Sequence, residues 1–344
     1  MLIDIPLDER TWAWGGATPQ PATYGGRECI SVDTMHAVPH GVELLDGVLE
    51  MDIAVSADRG FPGVMWRIHD AENFESFFVR PHQVGNPDAV QYTPVSNGIS
   101  SWQLYHGPGF WAPIRYPIGD WFTIRAVFSG DRAEVFVADM ETPALSGIRL
   151  RRPVAPGGVG LSTGGVPIHV ARFAYADRRT DLPRPRAEPG GPGTVLAWDV
   201  SDPFSADEMA SDVLDPGFLA ARQWTRLAAE PSGLADLSRV NPIRDGRNAV
   251  LARVAVTAEA ARSARLELGY SDRVALYLNG RPLFRGDAGY RSRDYRFLGS
   301  IGYHDAVYLP LAEGENQLVA AVAEDFGGWG IQARFTDPAG LVVG

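Results

Sequence analysis

The most chemically loaded stretch of this chain is residues 80–111, which read RPHQVGNPDAVQYTPVSNGISSWQLYHGPGFW. It sets Arg80, His82, Gln83, Asn86, Asp88, Gln91, Asn97, Gln103 and His106 among Tyr92, Trp102, Tyr105 and Trp111. Amide and carboxylate groups make paired hydrogen bonds to hydroxyl pairs, and flat rings cover the apolar face of a pyranose. The mixture therefore suits a carbohydrate ligand, with Arg80, Asn86, Gln91, Asn97, Trp102, Gln103, Tyr105 and Trp111 as the binding candidates. In strand geometry Arg80 and His82 share a face, as do Gln103 and Tyr105, with Trp102 and His106 on the other. The same residues have a plainer use. Asn-Pro, Thr-Pro and Asn-Gly form turns, and an Arg–Asp pair with a buried His can simply brace a long loop.

If the segment is catalytic, its acids and bases are His82, Asp88 and His106. A glycosidase needs two carboxylates about 5–10 Å apart. The segment supplies Asp88 alone, with Glu75 nearby in sequence. That shortage counts against ordinary glycoside hydrolysis and leaves open a base-assisted elimination on an oxidised sugar. Three functions thus compete: carbohydrate binding, hydrolase or lyase action on a glycoside or 3-keto sugar, and a structural or interaction module without catalysis.

The rest of the composition narrows the field. The chain has 344 residues, 45% hydrophobic and 21% charged, with a formal charge of −11. A strongly acidic chain lacks the clustered cations that bind nucleic acid or anionic membranes, so neither is expected as a partner. All 31 basic residues are Arg, which excludes a Schiff-base lysine. Cys29 is the one cysteine, so there is no intrachain disulfide and no cysteine zinc cage. His36, His40, His69, His169 and His304 are scattered, without a His-x-x-x-His pair. No cofactor is expected, although a structural calcium held by Asp and backbone carbonyls is compatible with the folds considered below. The first residues show no basic segment followed by an apolar run, which makes a cytoplasmic location the expectation. A homodimer or a partner enzyme is left open.

Strands must position the segment. Gly47–Val55, Pro62–His69, Glu75–Arg80, Trp121–Phe128, Ala133–Val137 and His169–Tyr175 alternate or run apolar between turn signals. Val64, Trp66 and Ile68 are expected on one face, with Met65, Arg67 and His69 on the other. Residues 178–193, RRTDLPRPRAEPGGPG, carry four prolines and three glycines and read as a stiff linker. After it come strands over Thr194–Val200, Ala249–Thr257, Ala264–Tyr270, Arg273–Leu278, Asn316–Glu324 and Gly330–Phe335. A capping box at Ser205–Glu208 opens one short helix, and Asn279-Gly280 marks a tight hairpin. The expected class is all-β, two β-sandwich or jelly-roll domains in tandem: 1–177, a linker at 178–193, and 194–344.

The segments DGVLEMDI, GFPGVMWRIHDAENFESFFVRPH and GDWFTIRAVFSGDRAEVFV resemble concanavalin A-like and laminin-G-like sandwiches over roughly residues 25–176. They are distantly similar to the 3-keto-disaccharide hydrolase family, whose Asn-Ser-Gly before the central strand is here Phe61-Pro62-Gly63. YSDRVALYLNGRPLF and LPLAEGENQLVAAVAEDFGGWGIQARF resemble the galactose-binding-like jelly rolls attached to many glycosidases. These resemblances imply a carbohydrate context. Laminarinase-type sandwiches carry Glu, Asp and Glu at alternate strand positions. Here the positions are Glu50, Asp52 and Ala54, so that mechanism is rejected and Glu50 and Asp52 are expected on an outer face. In the second half, Arg285-Gly-Asp287, Gly289–Tyr295 and Asp325–Trp329 are loops that could meet at one rim of a jelly roll to bind sugar. The plainer reading, which is favoured, has them braced by Arg–Asp pairs, with Trp329 as a core or interdomain plug.

Overall fold

The structure, a computed structural model, describes residues 1–185, 190–210 and 214–344. The centre of the expected linker, 186–189, lies outside them. The chain is all-β, and its contacts divide it into two compact units. One comprises Met1–Val95 with Tyr105–Arg186, and the other Ser96–Leu104 with Ala187–Gly344. A purely linear division would have left Ser96–Leu104 with the first.

The first unit is a two-layer sandwich. One sheet runs, in spatial order, Leu145–Arg149, Arg132–Val137, Trp121–Ser129, Gly47–Ala54, Ile168–Asp177, Arg27–Val32 and Gln20–Tyr24. The other includes, in order, Val90–Ser96, Asn73–Val79, Gly63–Asp70, Gly157–Ser162 and Glu43–Leu44, with Trp111–Ala112 paired to Val90–Ser96. Alternation sends Leu49, Met51, Ile53, Phe122, Ile124, Ala126 and Phe128 inward from the first sheet. Trp66, Phe77, Val79, Val90 and Tyr92 meet them from the second. Trp66 stacks on Phe128 at 5.7 Å and on Tyr92 at 6.2 Å, so large rings fill the layer between the sheets.

Two charged groups lie in this layer. Glu75 is fully buried, accepting a hydrogen bond from the Tyr92 hydroxyl at 2.7 Å and one from the Arg152 backbone N–H at 3.1 Å. Burial pushes its carboxyl above the ordinary range, against the pull of those bonds and of nearby arginines. Arg67 is also buried, with its guanidinium donating to the carbonyls of Leu45 and Gly130. Its backbone is left-handed, φ 49°, and strand register shifts beside it. This corrects the expected alternation: Ile68 packs with Met65, Phe74 and Val95 outside the core rather than behind Trp66.

Glu50 and Asp52 do project outward, from the first sheet. Glu50 pairs with Arg125 at 2.6 Å and Arg172 at 2.8 Å, and Asp52 with Arg27 at 2.8 Å. They are cross-strand tethers on a face opposite to the second sheet.

The second unit also encloses an apolar core. One sheet orders Trp224–Ala228, Ala197–Ser201, Ala249–Ala258, Gly314–Ala323, Arg273–Leu278 and Arg281–Asp287. The other orders Ala235–Asp236, Gly330–Phe335, Arg262–Ser271 and Asp305–Leu311. Asn279 and Gly280 have φ values of 51° and 77°, the paired left-handed turn that their types favour. Trp329 is fully buried in this core. The capping box opens a single 3-10 turn, Ala206–Ala210, and a short helix absent from the expectation, Pro216–Ala220, follows under an Asp215 cap. Arg273 pairs with Asp325 at 2.7 Å, and Arg293 with Asp305, so ion pairs brace the loops.

Ser96–Leu104 lies in this unit beside three buried acids. Ser101 donates to Asp236 at 3.1 Å, and Gln103 bonds to Leu298 and Ser271. Asp272 accepts from the N–H groups of Asp325 and Phe326, and Glu324 from that of Gly328. Burial first raises Asp272 to about 6, with the charge of Asp325 adding to it, and raises Glu324 to about 8, with the charge of Asp272 adding most after burial. Carboxyls raised in this way hold protons in the folded state that the unfolded chain has released. Their contribution to stability is therefore present at acidic pH and is lost as pH rises through about 6 and 8. Thermal unfolding across pH 5–9 should accordingly show a falling midpoint, and Glu324→Gln should flatten the fall. A wild-type midpoint that rises over this interval would contradict it.

Candidate functional site

The site begins with strand register on the second sheet of the first unit. Phe77, Val79, Val90 and Tyr92 point into the core, so Phe78 and Gln91 between them point out. Phe78 is opposite Gln91, and Gln91 is opposite Trp111. On the far side Phe78 is opposite Gly63, which is opposite Ser162. One row thus crosses the outer face: Ser162, Gly63, Phe78, Gln91, Trp111. Two partly exposed rings flank a fully buried amide. Their strands stand two spacings apart, about 9.5 Å. Gly63 is obligatory here, because a Cβ would lie 1.9 Å from the carbonyl oxygen of Phe77.

Gln91 is the hub. Its Oε1 accepts from the Arg80 guanidinium, and its Nε2 donates to the backbone carbonyl of Tyr105 at 2.6 Å. Arg80 is 5% exposed and closes the strand before the 3-10 turn Pro81–Gln83. Its Nη1 donates to the Asp88 carbonyl at 2.6 Å, while the Asp88 carboxylate lies 3.9 Å away. Its guanidinium carbon lies 4.9 Å from the Phe78 ring centre and 5.8 Å from that of Phe61. Burial lowers Arg80 to about 10, which leaves it charged at neutral pH.

The ring of His82 meets Phe61 edge-on at 5.8 Å, and its Nδ1 is buried with no hydrogen-bond partner among the described residues. Burial, then the charges of Arg59 and Arg80, hold its pKa below the usual value, so the imidazole is neutral at pH 7. Asn86 is exposed and bonds to Gln83. Tyr105 is buried and stands 5.5 Å from Phe110, with Arg151 over both rings at 5.2 and 5.1 Å. His106 leans on Trp111 at 5.6 Å. The tight turn at Gly107, φ 78°, returns the chain so that Trp111 joins the sheet.

Arg80, His82, Asn86, Asp88, Gln91, Tyr105, His106 and Trp111 therefore all lie in the first unit, around one end of this sheet. Asn97, Trp102 and Gln103 do not join them. They belong to the second unit, where Asn97 donates to the Ser238 carbonyl at 2.7 Å and Trp102 meets Phe326 edge-on at 5.7 Å. Phe61, Phe78 and Arg151 line the site although the sequence did not single them out. Phe78 was within reach of period-two counting from Arg80; Phe61 and Arg151 arrive from distant segments and had no such signal. Glu75, the nearby second carboxylate, faces the core.

Among the described residues no three His, Cys, Asp or Glu side chains come together as a metal cluster. No described helix is long and apolar enough to cross a membrane.

No protein-family model and no curated protein matches the chain. Solved structures with a similar sandwich include the carbohydrate binding module CBM66 from Bacillus subtilis. It is 17% identical, with a TM-score of 0.36, over 46% of this chain and 91% of that one. The Bacillus licheniformis β-glucanase is 12% identical, with a TM-score of 0.33, over 52% and 98%. The VIP36 exoplasmic/lumenal domain in its Ca2+/Man3GlcNAc-bound form is 13% identical, with a TM-score of 0.33, over 52% and 90%. At these scores the likenesses do not bear on the chemistry of the site.

Replacing Gln91 by Leu removes both halves of the clamp at once, taking the amide away from the buried Arg80 guanidinium and from the Tyr105 carbonyl. The expected cost is about 2–4 kcal/mol of stability, read as a lower midpoint in urea unfolding. A variant as stable as the parent would show that Gln91 is not the hub described.

Proposed function

We propose that the first unit is a carbohydrate-binding module whose glycan lies across the outer face of the second sheet. One observation carries this: the register that sets Phe78 and Trp111 on either side of Gln91 in a single row. Rings on a rigid sheet form a platform on which pyranose faces stack at little entropic cost. A spacing of about 9.5 Å exceeds one sugar ring, so the platform favours an oligosaccharide over a monosaccharide. The polar edge is supplied by His82, Asp88 and Asn86 at one end and by His106 beside Trp111 at the other.

Binding is favoured over turnover by where the carboxylates stand. Asp88 sits beside Arg80, and Glu75 faces inward on the Tyr92 hydroxyl. The pair that glycoside hydrolysis needs is therefore not presented on the outer face by these two groups.

Trp111→Ala should weaken binding of the best oligosaccharide from a glycan panel by about tenfold or more, since a stacked ring loses most of its buried apolar area. Isothermal titration reads this, with the unfolding midpoint as a check that the variant is folded. Undiminished affinity in the folded variant, or no response of the parent protein to any oligosaccharide, would overturn the proposal.

A further inference from the structure

The charges around this platform are lopsided. The chain as a whole carries −11. Yet the turn that follows the Phe78 strand has three arginines about it, Arg59, Arg80 and Arg115. Arg59 is close enough to His82 for its charge to act on that ring. Arg115 lies over Gly85, its guanidinium carbon 3.2 Å from where a Cβ on that glycine would stand. Gly85 in turn is held to the Arg115 segment through its N–H on the Ile114 carbonyl at 2.9 Å.

Arg59 and Arg115 are both exposed, and neither makes an ion pair among the described residues. The carboxylates nearby are already engaged. Asp88 stands beside Arg80, and Asp58 accepts from the Ser56 hydroxyl at 2.8 Å. His82, whose ring meets Phe61 two residues after Arg59, adds a buried Nδ1 with no partner among the described residues. Two uncommitted guanidinium forks at the edge of a stacking platform are suited to an anionic oxygen group, which they bind in bidentate fashion, rather than to hydroxyls alone.

Resting on the carbohydrate-binding reading, we infer that the glycan is acidic: a saccharide bearing carboxylate or sulfate groups, whose anionic substituents are held by Arg59 on the His82 side of the turn and by Arg115 at Gly85, while its rings lie on Phe78 and Trp111. The attraction between exposed charges is screened by salt, so the preference for an acidic ligand should shrink as ionic strength rises.

The test is calorimetric titration of the whole protein with three probes of equal length: an oligogalacturonate, a sulfated oligosaccharide and a neutral oligosaccharide. At low salt at least one acidic probe should bind about tenfold or more tightly than the neutral one. The two acidic arms tell carboxylate from sulfate. In the folded double variant Arg59→Gln/Arg115→Gln that preference should fall to near unity. A neutral probe binding as tightly as both acidic ones would overturn the inference and leave the carbohydrate reading standing. No binding of any probe would overturn both. A preference that persists in the double variant would overturn the role given to these two arginines.

Discussion

One buried amide organises the outer face of the first unit. Gln91, the second residue of the strand Val90–Ser96, has no exposed surface, and its two polar atoms are both engaged: Arg80 on one side, the Tyr105 carbonyl on the other. A buried polar group is tolerated only when it is satisfied, and a buried guanidinium still more so. The three segments therefore have to arrive together. The end of the Phe78 strand brings Arg80, the next strand brings Gln91, and the loop through Gly107 brings Tyr105 and then Trp111. Displacing any of them breaks a buried hydrogen bond of Gln91. The two partly exposed rings, Phe78 and Trp111, are held in place by the same register.

Much of this architecture was legible in the sequence because period-two patterns survive wherever a strand has one buried face. Trp121–Ser129 buries every residue expected of it, and Arg273–Leu278 with Asn279-Gly280 folds as its residue types dictate. The misplacement of Ile68 has a definite cause, the left-handed Arg67 that ties its guanidinium to Leu45 and Gly130 and slips the register by doing so. Arginine carries no local signal for that conformation; its long-range carbonyl partners impose it.

The site was legible in part. Residues 80–111 were recognisable as chemically loaded, yet they divide between two units. Gln103 lies among Leu298, Ser271 and Gly327 rather than with Gln91. Composition cannot separate an amide that clamps a strand from one that packs against a distant loop, since both are buried and both are satisfied. Only pairing register, a long-range property, reveals that Phe78, Gln91 and Trp111 stand in one line. The outward Glu50 and Asp52 make the complementary point. Their alternation gave the face, and the arginines opposite them, Arg125, Arg172 and Arg27, show what that face does.

The proposed seat of the glycan is this row of Phe78, Gln91 and Trp111. The most direct measurement is a crystal structure of the protein soaked with an oligosaccharide to which it binds in solution. Density for sugar rings against Phe78 and Trp111, with polar contacts reaching towards His82 or His106, is the result expected. Sugar seated only on the loops of the second unit, or only over the Glu50 and Asp52 face, would contradict it.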